Sequence, residues 1–294
     1  MQVPSFAKIN WTLEILGRRP DGYHELRTIL QTVDVHDDLI FTLAESQIIL
    51  TCDNPAVPCD ETNLIFRAAL LLRELSGCDK GANIHLIKRI PMGAGLGGGS
   101  SNAAIALLVL INLWDLDVAP QDLFVLGAKL GADVPFFFFG GTGIGIGRGD
   151  EVYPIEDMNA EHLLLVNLGI NVPTKEIYGN LPSMLTRTPA LNKIPHSLAV
   201  AYAHNMKLPL QLRNDLEVSA LSLFPEIGVV KQRLKDLNAA QVLMSGSGST
   251  VFAIFESEVA CVQAKLQLPD WWCEKTRTLD RDTYQAAIRF FRNV

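Results

Sequence analysis

Near the start of the chain apolar and polar residues alternate strictly. Ala7, Ile9, Trp11, Leu13 and Ile15 interleave with Lys8, Asn10, Thr12 and Glu14. A period of two sends successive side chains to opposite sides, so this segment predicts a strand with one apolar and one polar face. Pro20-Asp21-Gly22 is a turn signal, and strand-like runs follow at 28–35, 38–43 and 47–51. The first third therefore reads as a largely antiparallel sheet. Residues 61–75 read as a helix, with Asp60 or Thr62 as its cap and Gly77 where a C-terminal glycine belongs. A strand at 83–90, helices at 103–113 and 121–130 (stopped by Gly131), and buried strands at 136–139 and 142–146 come next.

Near residue 155 the texture changes. A strand at 162–168 precedes a long stretch rich in Pro, Asn and Ser at 171–200. Helices are expected at 212–223 and 226–237, strands at 241–244 and 250–255, a helix at 257–266, a strand at 271–278 and a last helix at 282–292. The order lacks regular βαβ alternation, which favours two α+β domains, residues 1–155 and 156–294.

Length and composition narrow the class. The 294 residues suit two domains and bury enough surface to fold without disulfides or a structural metal. At 48% hydrophobic and 19% charged, the chain is not intrinsically disordered. Its 25 Lys and Arg against 32 Asp and Glu leave a formal net charge of -7. That argues against a nucleic-acid partner, and an anionic ligand must be held by local devices. Five cysteines with no C-x-x-C pair argue against a disulfide framework or a cysteine zinc site, and fit a reducing cytoplasm. The opening residues have no apolar signal core, and the longest apolar stretch, 103–113, falls short of the roughly 20 residues a bilayer needs. A cytoplasmic protein with no membrane partner is expected.

The sharpest chemical signal is a run in which five of the seven residues from Gly93 to Gly99 are glycine, just before an apolar helix. Such a run lets backbone N–H groups point into a concavity, and the helix start adds a partial charge of about +0.5, so phosphate is the natural ligand. A flexible turn is the alternative, but it needs no five glycines. Ser100 and Ser101 stand where hydroxyls cap the helix, bind phosphate or meet a phosphate-bound Mg²⁺. A Walker A loop is excluded, because no lysine follows a glycine here. Gly93, Gly95 and Gly98 match G-x-G-x-x-G, yet the acidic residues about 20 positions on, Asp115 and Asp117, follow a helix instead of a strand.

Other candidates carry two readings each. Lys8 and Asn10 share one face of a strand, either a solvated face or a functional one. Asp133, in Gly131-Ala132-Asp133-Val134-Pro135 before four phenylalanines, is either a local turn or cap residue or a general base kept ionised by a lysine, with Lys8 the candidate. Ser245-Gly246-Ser247-Gly248-Ser249 is either a tight hairpin or a second anion loop. Tyr23-His24 is either loop surface or a stacking and hydrogen-bonding pair.

Together these segments resemble the GHMP kinases (galactokinase, homoserine kinase, mevalonate kinase and relatives). Pro91, Met92, Gly93, Ala94, Gly95, Leu96, Gly97, Gly98, Gly99, Ser100 and Ser101 match that family's ATP loop, and an N-terminal lysine strand, a central aspartate and a C-terminal glycine loop follow its order. Ala7-Lys8-Ile9-Asn10, Arg19-Pro20-Asp21-Gly22-Tyr23-His24, Gly131-Ala132-Asp133-Val134-Pro135-Phe136 and Pro173-Thr174 extend the likeness over residues 3 to 256 and narrow it to one branch.

The resemblance implies a two-domain α+β fold with the cleft between an N-terminal ATP-binding domain and a C-terminal α/β-sandwich (ferredoxin-like) domain. It implies ATP with Mg²⁺, and phosphorylation of the 2-hydroxyl of a cytidine diphosphate-linked methylerythritol. Asp133 would take the hydroxyl proton, Lys8 would hold Asp133 ionised, and Asn10 would touch the substrate. Tyr23, His24 and Tyr178 would bind cytosine with Thr174 beside them. Gly246, Ser247, Gly248 and Ser249 would lie near the diphosphate, and Asn63 near adenine. No metal ligand is assignable, and a monomer or weak homodimer is expected. A GHMP kinase for a smaller alcohol needs no base-stacking pair, and a non-catalytic nucleotide sensor needs no Lys8 and Asp133.

Overall fold

The computed structural model describes residues 1–183, 185 and 212–288. Two long strands organise its first half. β1 (Gln2–Arg18) and β2 (His24–Ala44) pair antiparallel from Gln2↔Ile40 to Arg18↔His24 across the Pro20-Asp21-Gly22 turn. The runs expected at 28–35 and 38–43 are thus one strand. A partner along the whole length satisfies the backbone through the polar interruption, where Asp38, Asp37 and His36 face Pro4, Ser5 and Phe6.

β3 (Ile48–Cys52) and β4 (Gly81–Ile87) extend this sheet, and β5 (Thr142–Gly147) and β6 (Glu151–Pro154) branch from it. β2 meets β4 through Asp38–Ala44 and β5 through Leu26–Gln31, so the sheet forks along one strand. Helices α1 (Leu64–Ser76), α2 (Gly98–Leu113) and α3 (Pro120–Leu130) cover it, with Leu39, Phe41, Ile84 and Leu86 packed in one core with Leu72, Leu107 and Trp114.

Three local expectations are corrected here. The cap of α1 is Asn63, whose Oδ1 accepts the Ile65 N–H at 2.9 Å, while Asp60 turns onto Thr62. Helix α2 starts at Gly98, inside the glycine run, so Ser100 and Ser101 lie in its first turn and not at its cap. The expected strand at 136–139 is a 3-10 turn, Pro135–Phe138. Phe136 and Phe137 are both buried, which a strand with one covered face does not allow, and proline at the first position favours a helical start.

The second sheet runs β11 (Trp272–Thr276), β7 (Leu163–Asn167), β10 (Val251–Ile254), β9 (Gln241–Met244), all antiparallel. It is buried on both sides, which explains the unbroken apolar run at 163–166. Leu164 and Val166 pack with α5 (Glu217–Leu223), α6 (Glu226–Asp236) and α7 (Glu258–Leu266), whereas Leu163, Leu165 and Phe252 pack with Ile9, Trp11 and Ile29 of the first sheet. The Trp11 and Phe252 rings meet edge to face at 5.5 Å.

The expected helix over 212–223 is shorter. Its first residues form β8 (Arg213–Asn214), parallel to β1, and Asp215 Oδ2 accepts the Ile15 N–H at 2.9 Å. The Pro-, Asn- and Ser-rich stretch at 171–200 contains α4 (Thr174–Gly179), and residues 184 and 186–200 lie outside the described residues. Of the helix expected at 282–292, α8 (Arg281–Ile288) is described; the rest lies outside. Tyr284 of α8 donates to the Phe137 carbonyl at 2.6 Å. Among the described residues no helix is long and apolar enough to cross a membrane.

Candidate active site

A cleft of about 1360 Å³ opens where elements of both sheets meet. Lys8, Asn10, Tyr23, His24, Asn63, the segment Pro91–Ser100, Asp133, Thr174, Tyr178, Gly246 and Ser247 all line it. Six cations (Lys8, Arg18, Lys88, Lys129, Arg148, Lys175) and two carboxylates (Asp21, Asp133) face this space, which inverts the sign of the whole chain. Local charge, not the global field, thus prepares the cleft for anions.

Lys8 sits on the polar face of β1. That face is not solvated, because it closes against the glycine run, and Lys8 is only 3% exposed. Its ammonium donates to Asn10 Oδ1 at 2.8 Å and to the Gly95 carbonyl at 2.9 Å, and it lies 3.4 Å from Asp133 Oδ2. A buried lysine needs such partners to stay charged. The Asp133 side chain is 35% exposed, so it meets both the ammonium and the cleft. Asn10 is held in turn, its Nδ2 donating to Thr28 Oγ1 at 2.7 Å.

The two glycine loops dock on each other. Gly95 has φ +76°, and a Cβ there would fall 2.0 Å from the Ser245 carbonyl oxygen. Ser245 Oγ donates to the Gly95 carbonyl at 2.9 Å, and the Thr250 N–H to the Ala94 carbonyl at 3.2 Å. The second loop is a hairpin, closed by Ser245 N–H to the Thr250 carbonyl, and its Gly246 and Ser247 line a wall of the cleft. Its inner end hangs on Asn214, whose Nδ2 donates to the Met244 and Gly246 carbonyls at 2.8 and 2.7 Å. Thr174 and Ser247 hydroxyls meet at 2.9 Å, which ties α4 to this loop. At the start of α2, the first N–H groups have no partner within the helix, and Lys88 Nζ lies where a Cβ on Gly98 would meet it at 3.1 Å. Lys88 is steered by buried Asp37, which pairs with it and accepts the Arg89 and Ile90 N–H groups, each at 2.8 Å.

An aromatic set completes the walls. The His24 and Tyr178 rings lie 5.2 Å apart at 32°. Burial, with the Arg18 charge beside it, holds His24 below the usual histidine range, and its Nε2 has no hydrogen-bond partner among the described residues. Burial, with the Asp133 charge adding to it, pushes the Tyr178 phenol well up. Tyr23 is 58% exposed at the cleft edge.

Comparison with known proteins decides the family. The model of the GHMP kinases N terminal domain matches residues 63–141 and that of the GHMP kinases C terminal matches residues 198–272. A 4-diphosphocytidyl-2-C-methyl-D-erythritol kinase of Citrifermentans bemidjiense is 41% identical over 283 residues, covering 95% of this chain and 99% of that protein. The chain belongs to the GHMP kinases. Among solved structures, a 4-(cytidine 5'-diphospho)-2C-methyl-D-erythritol kinase superposes on this GHMP kinase with a TM-score of 0.77 at 35% identity, over 95% of this chain and 100% of the other. L. major mevalonate kinase superposes with a TM-score of 0.68 at 16% identity, covering 95% and 96% of the two chains, which speaks to the fold alone.

Three residues expected in the site of this GHMP kinase lie elsewhere; one is Ser249, fully buried, its Oγ donating to the Ile170 carbonyl at 3.0 Å. Ser101 is fully buried, its Oγ 2.8 Å from Ser5 Oγ, because the first turn of α2 rotates it onto β1. Gly248 faces the core under the second loop, where a Cβ would meet Met244 Sδ at 2.8 Å. Thr28, Lys88, Arg148 and Asn214 belong to the site or its supports and carry no motif of their own. The Asn214-Asp215 pair is a turn signal, but nothing local says which loop it holds. Among the described residues no group of three or more His, Cys, Asp or Glu side chains could hold a metal. Ser100 and Asp133 line the cleft beside the start of α2, a donor set that fits a cation carried on nucleotide phosphates.

Proposed function

We propose that this GHMP kinase transfers the γ-phosphoryl group of ATP to the 2-hydroxyl of 4-diphosphocytidyl-2-C-methyl-D-erythritol. The observation that carries the reading is a single cleft in which the Lys8–Asp133 pair adjoins both the glycine-run wall and the aromatic set of Tyr23, His24 and Tyr178. A small alcohol would leave that aromatic set without a task.

Phosphoryl transfer asks chiefly for positioning and charge stabilisation. The N–H groups at the start of α2 and the Lys88 ammonium hold the nucleotide phosphates. Asp133 accepts the proton of the 2-hydroxyl as the oxygen–phosphorus bond forms. The bond from phosphorus to the bridging oxygen breaks and ADP leaves. Lys8, 3.4 Å from Asp133 Oδ2, orients that carboxylate and faces the charge that develops, and Asn10, pinned by Thr28, orients the alcohol. The second glycine loop holds the substrate diphosphate with Thr174. Ser100 would offer the protein oxygen to a Mg²⁺ carried on ATP, which would supply charge neutralisation when bound. The proposal keeps residues 1–155 and 156–294 as the two domains, and a cytoplasmic monomer or weak homodimer.

The test is ADP release by the purified protein with Mg-ATP and, in parallel, the cytidine substrate, mevalonate, homoserine and galactose. Release with the cytidine substrate alone is expected. Release with another alcohol instead would overturn the substrate, and ATP binding without any release would overturn the kinase reading.

A further inference from the structure

The register of β2 on β5, Leu26↔Gly147 to Gln31↔Thr142, brings two turns side by side at one end of the first sheet. The β1–β2 turn carries Tyr23 and the β5–β6 turn carries Arg148. The Arg148 guanidinium carbon lies 5.2 Å from the centroid of the Tyr23 ring, within cation–π range. Asp150 holds the guanidinium, Nε donating to Oδ2 at 3.0 Å and a second nitrogen pairing with the same oxygen. The turn below Tyr23 is tied as well. Asp21 Oδ1 accepts the Tyr23 N–H at 3.0 Å, and Arg19 donates to Asp21 at 3.1 Å and to Glu25 at 2.6 Å. Tyr23 and Arg148 both line the cleft.

A tyrosine this exposed, on a turn, would otherwise spread over its rotamers, and a stacking partner would have to select one of them at a cost in affinity. A planar guanidinium against one ring face removes that freedom and leaves the ring presented to the cleft; a lysine, with its compact charge, would do so less well.

We propose that Arg148 is a positioning residue for the second substrate: clamped by Asp150, it fixes Tyr23 in the rotamer on which the nucleobase stacks. The inference rests on the reading of Tyr23 as part of a cytosine site. It requires no contact between Arg148 and the reacting atoms.

The experiment is steady-state kinetics on the full chain for R148A, R148K, Y23A and the double variant Y23A/R148A, with melting temperatures alongside. R148A is expected to raise the KM for 4-diphosphocytidyl-2-C-methyl-D-erythritol about three- to tenfold, with kcat and the KM for ATP within about twofold. R148K should recover part of the loss. In the Y23A background, R148A should add less than about twofold, because its partner is already gone. An unchanged KM in R148A, or an equal effect with and without Tyr23, would overturn the clamp. A melting temperature lowered with no change in KM would do the same, by confining Arg148 to holding its turn. An unchanged KM in Y23A would overturn the cytosine reading itself, and the clamp with it. Should R148A fail to fold, R148K against wild type in both Tyr23 backgrounds gives the same comparison.

Discussion

The docking of the two glycine loops makes Gly95→Ala a sharp test. At φ +76° an added Cβ costs about 1–2 kcal/mol from the left-handed backbone alone. The new atom would also stand 2.0 Å from the Ser245 carbonyl oxygen and 3.1 Å from the Gly248 nitrogen, both backbone, so the loops must part. Overpacking of this kind costs about 1–3 kcal/mol. Separation would also stretch the bonds from Lys8 Nζ and Ser245 Oγ to the Gly95 carbonyl, worth about 0.5–1.5 kcal/mol each. The sum is about 3–8 kcal/mol. Gly77→Ala is the control: it ends α1 at φ +67° with nothing within 4 Å of an added Cβ, so it bears the backbone cost only. Urea unfolding of both variants, with kcat/KM for ATP and for the cytidine substrate, separates the contributions. Gly95→Ala should lose about 2–6 kcal/mol more than Gly77→Ala and most of its activity, since Lys8 loses the Gly95 carbonyl, one of its two acceptors. Equal unfolding midpoints with activity retained would refute the docking as the scaffold of the site.

Asp133→Asn should keep ATP binding and lose about 10²- to 10⁴-fold in kcat, read by calorimetric binding and ADP release; a kcat near wild type removes Asp133 as the base. His24 is held neutral by burial and by Arg18, so its folded-state pKa lies below its unfolded value. The stability this contributes is present above the ordinary histidine range and is lost as pH falls through it, so thermal melts from pH 7.5 to 5 should fall less steeply in His24→Gln than in wild type (a difference tied to one proton). Burial pushes the Cys261 and Cys273 thiols up to about 11, whereas Cys59 is exposed; iodoacetamide labelling of the native protein read by mass spectrometry should modify Cys59 and spare Cys261 and Cys273 until the chain unfolds.

Much of the site was legible in the sequence, Thr174 and Tyr178 only through the family resemblance. The glycine run, Lys8, Asn10, Tyr23, His24, Asp133, Thr174, Tyr178 and the loop at 246–247 all reach one cleft. The misreadings share a cause. The runs at 28–35 and 38–43 read as two strands, yet Asp37 between them is buried as the anchor of Lys88. The four phenylalanines looked like strand because strands are apolar, but the segment coils tightly enough to bury neighbours together. Ser101 looked like a ligand because of its place in the run, and one helical turn carries it onto Ser5. In each case a distant partner overruled a local preference.

By itself the sequence determined what depends on near neighbours: the alternation of β1, the turn at Pro20-Asp21-Gly22, the C-terminal cap at Gly77, and an anion-seeking helix start after a glycine run. Those follow from side-chain period and backbone freedom, which act within a few residues. Only the tertiary structure decided that Gly95 meets Ser245 across 150 residues of chain, that Arg148 covers Tyr23, and that the polar face of β1 is an interior. Those contacts arise because a two-faced apolar sheet must be covered on both sides, and covering it brings together segments whose own sequence carries no sign of each other.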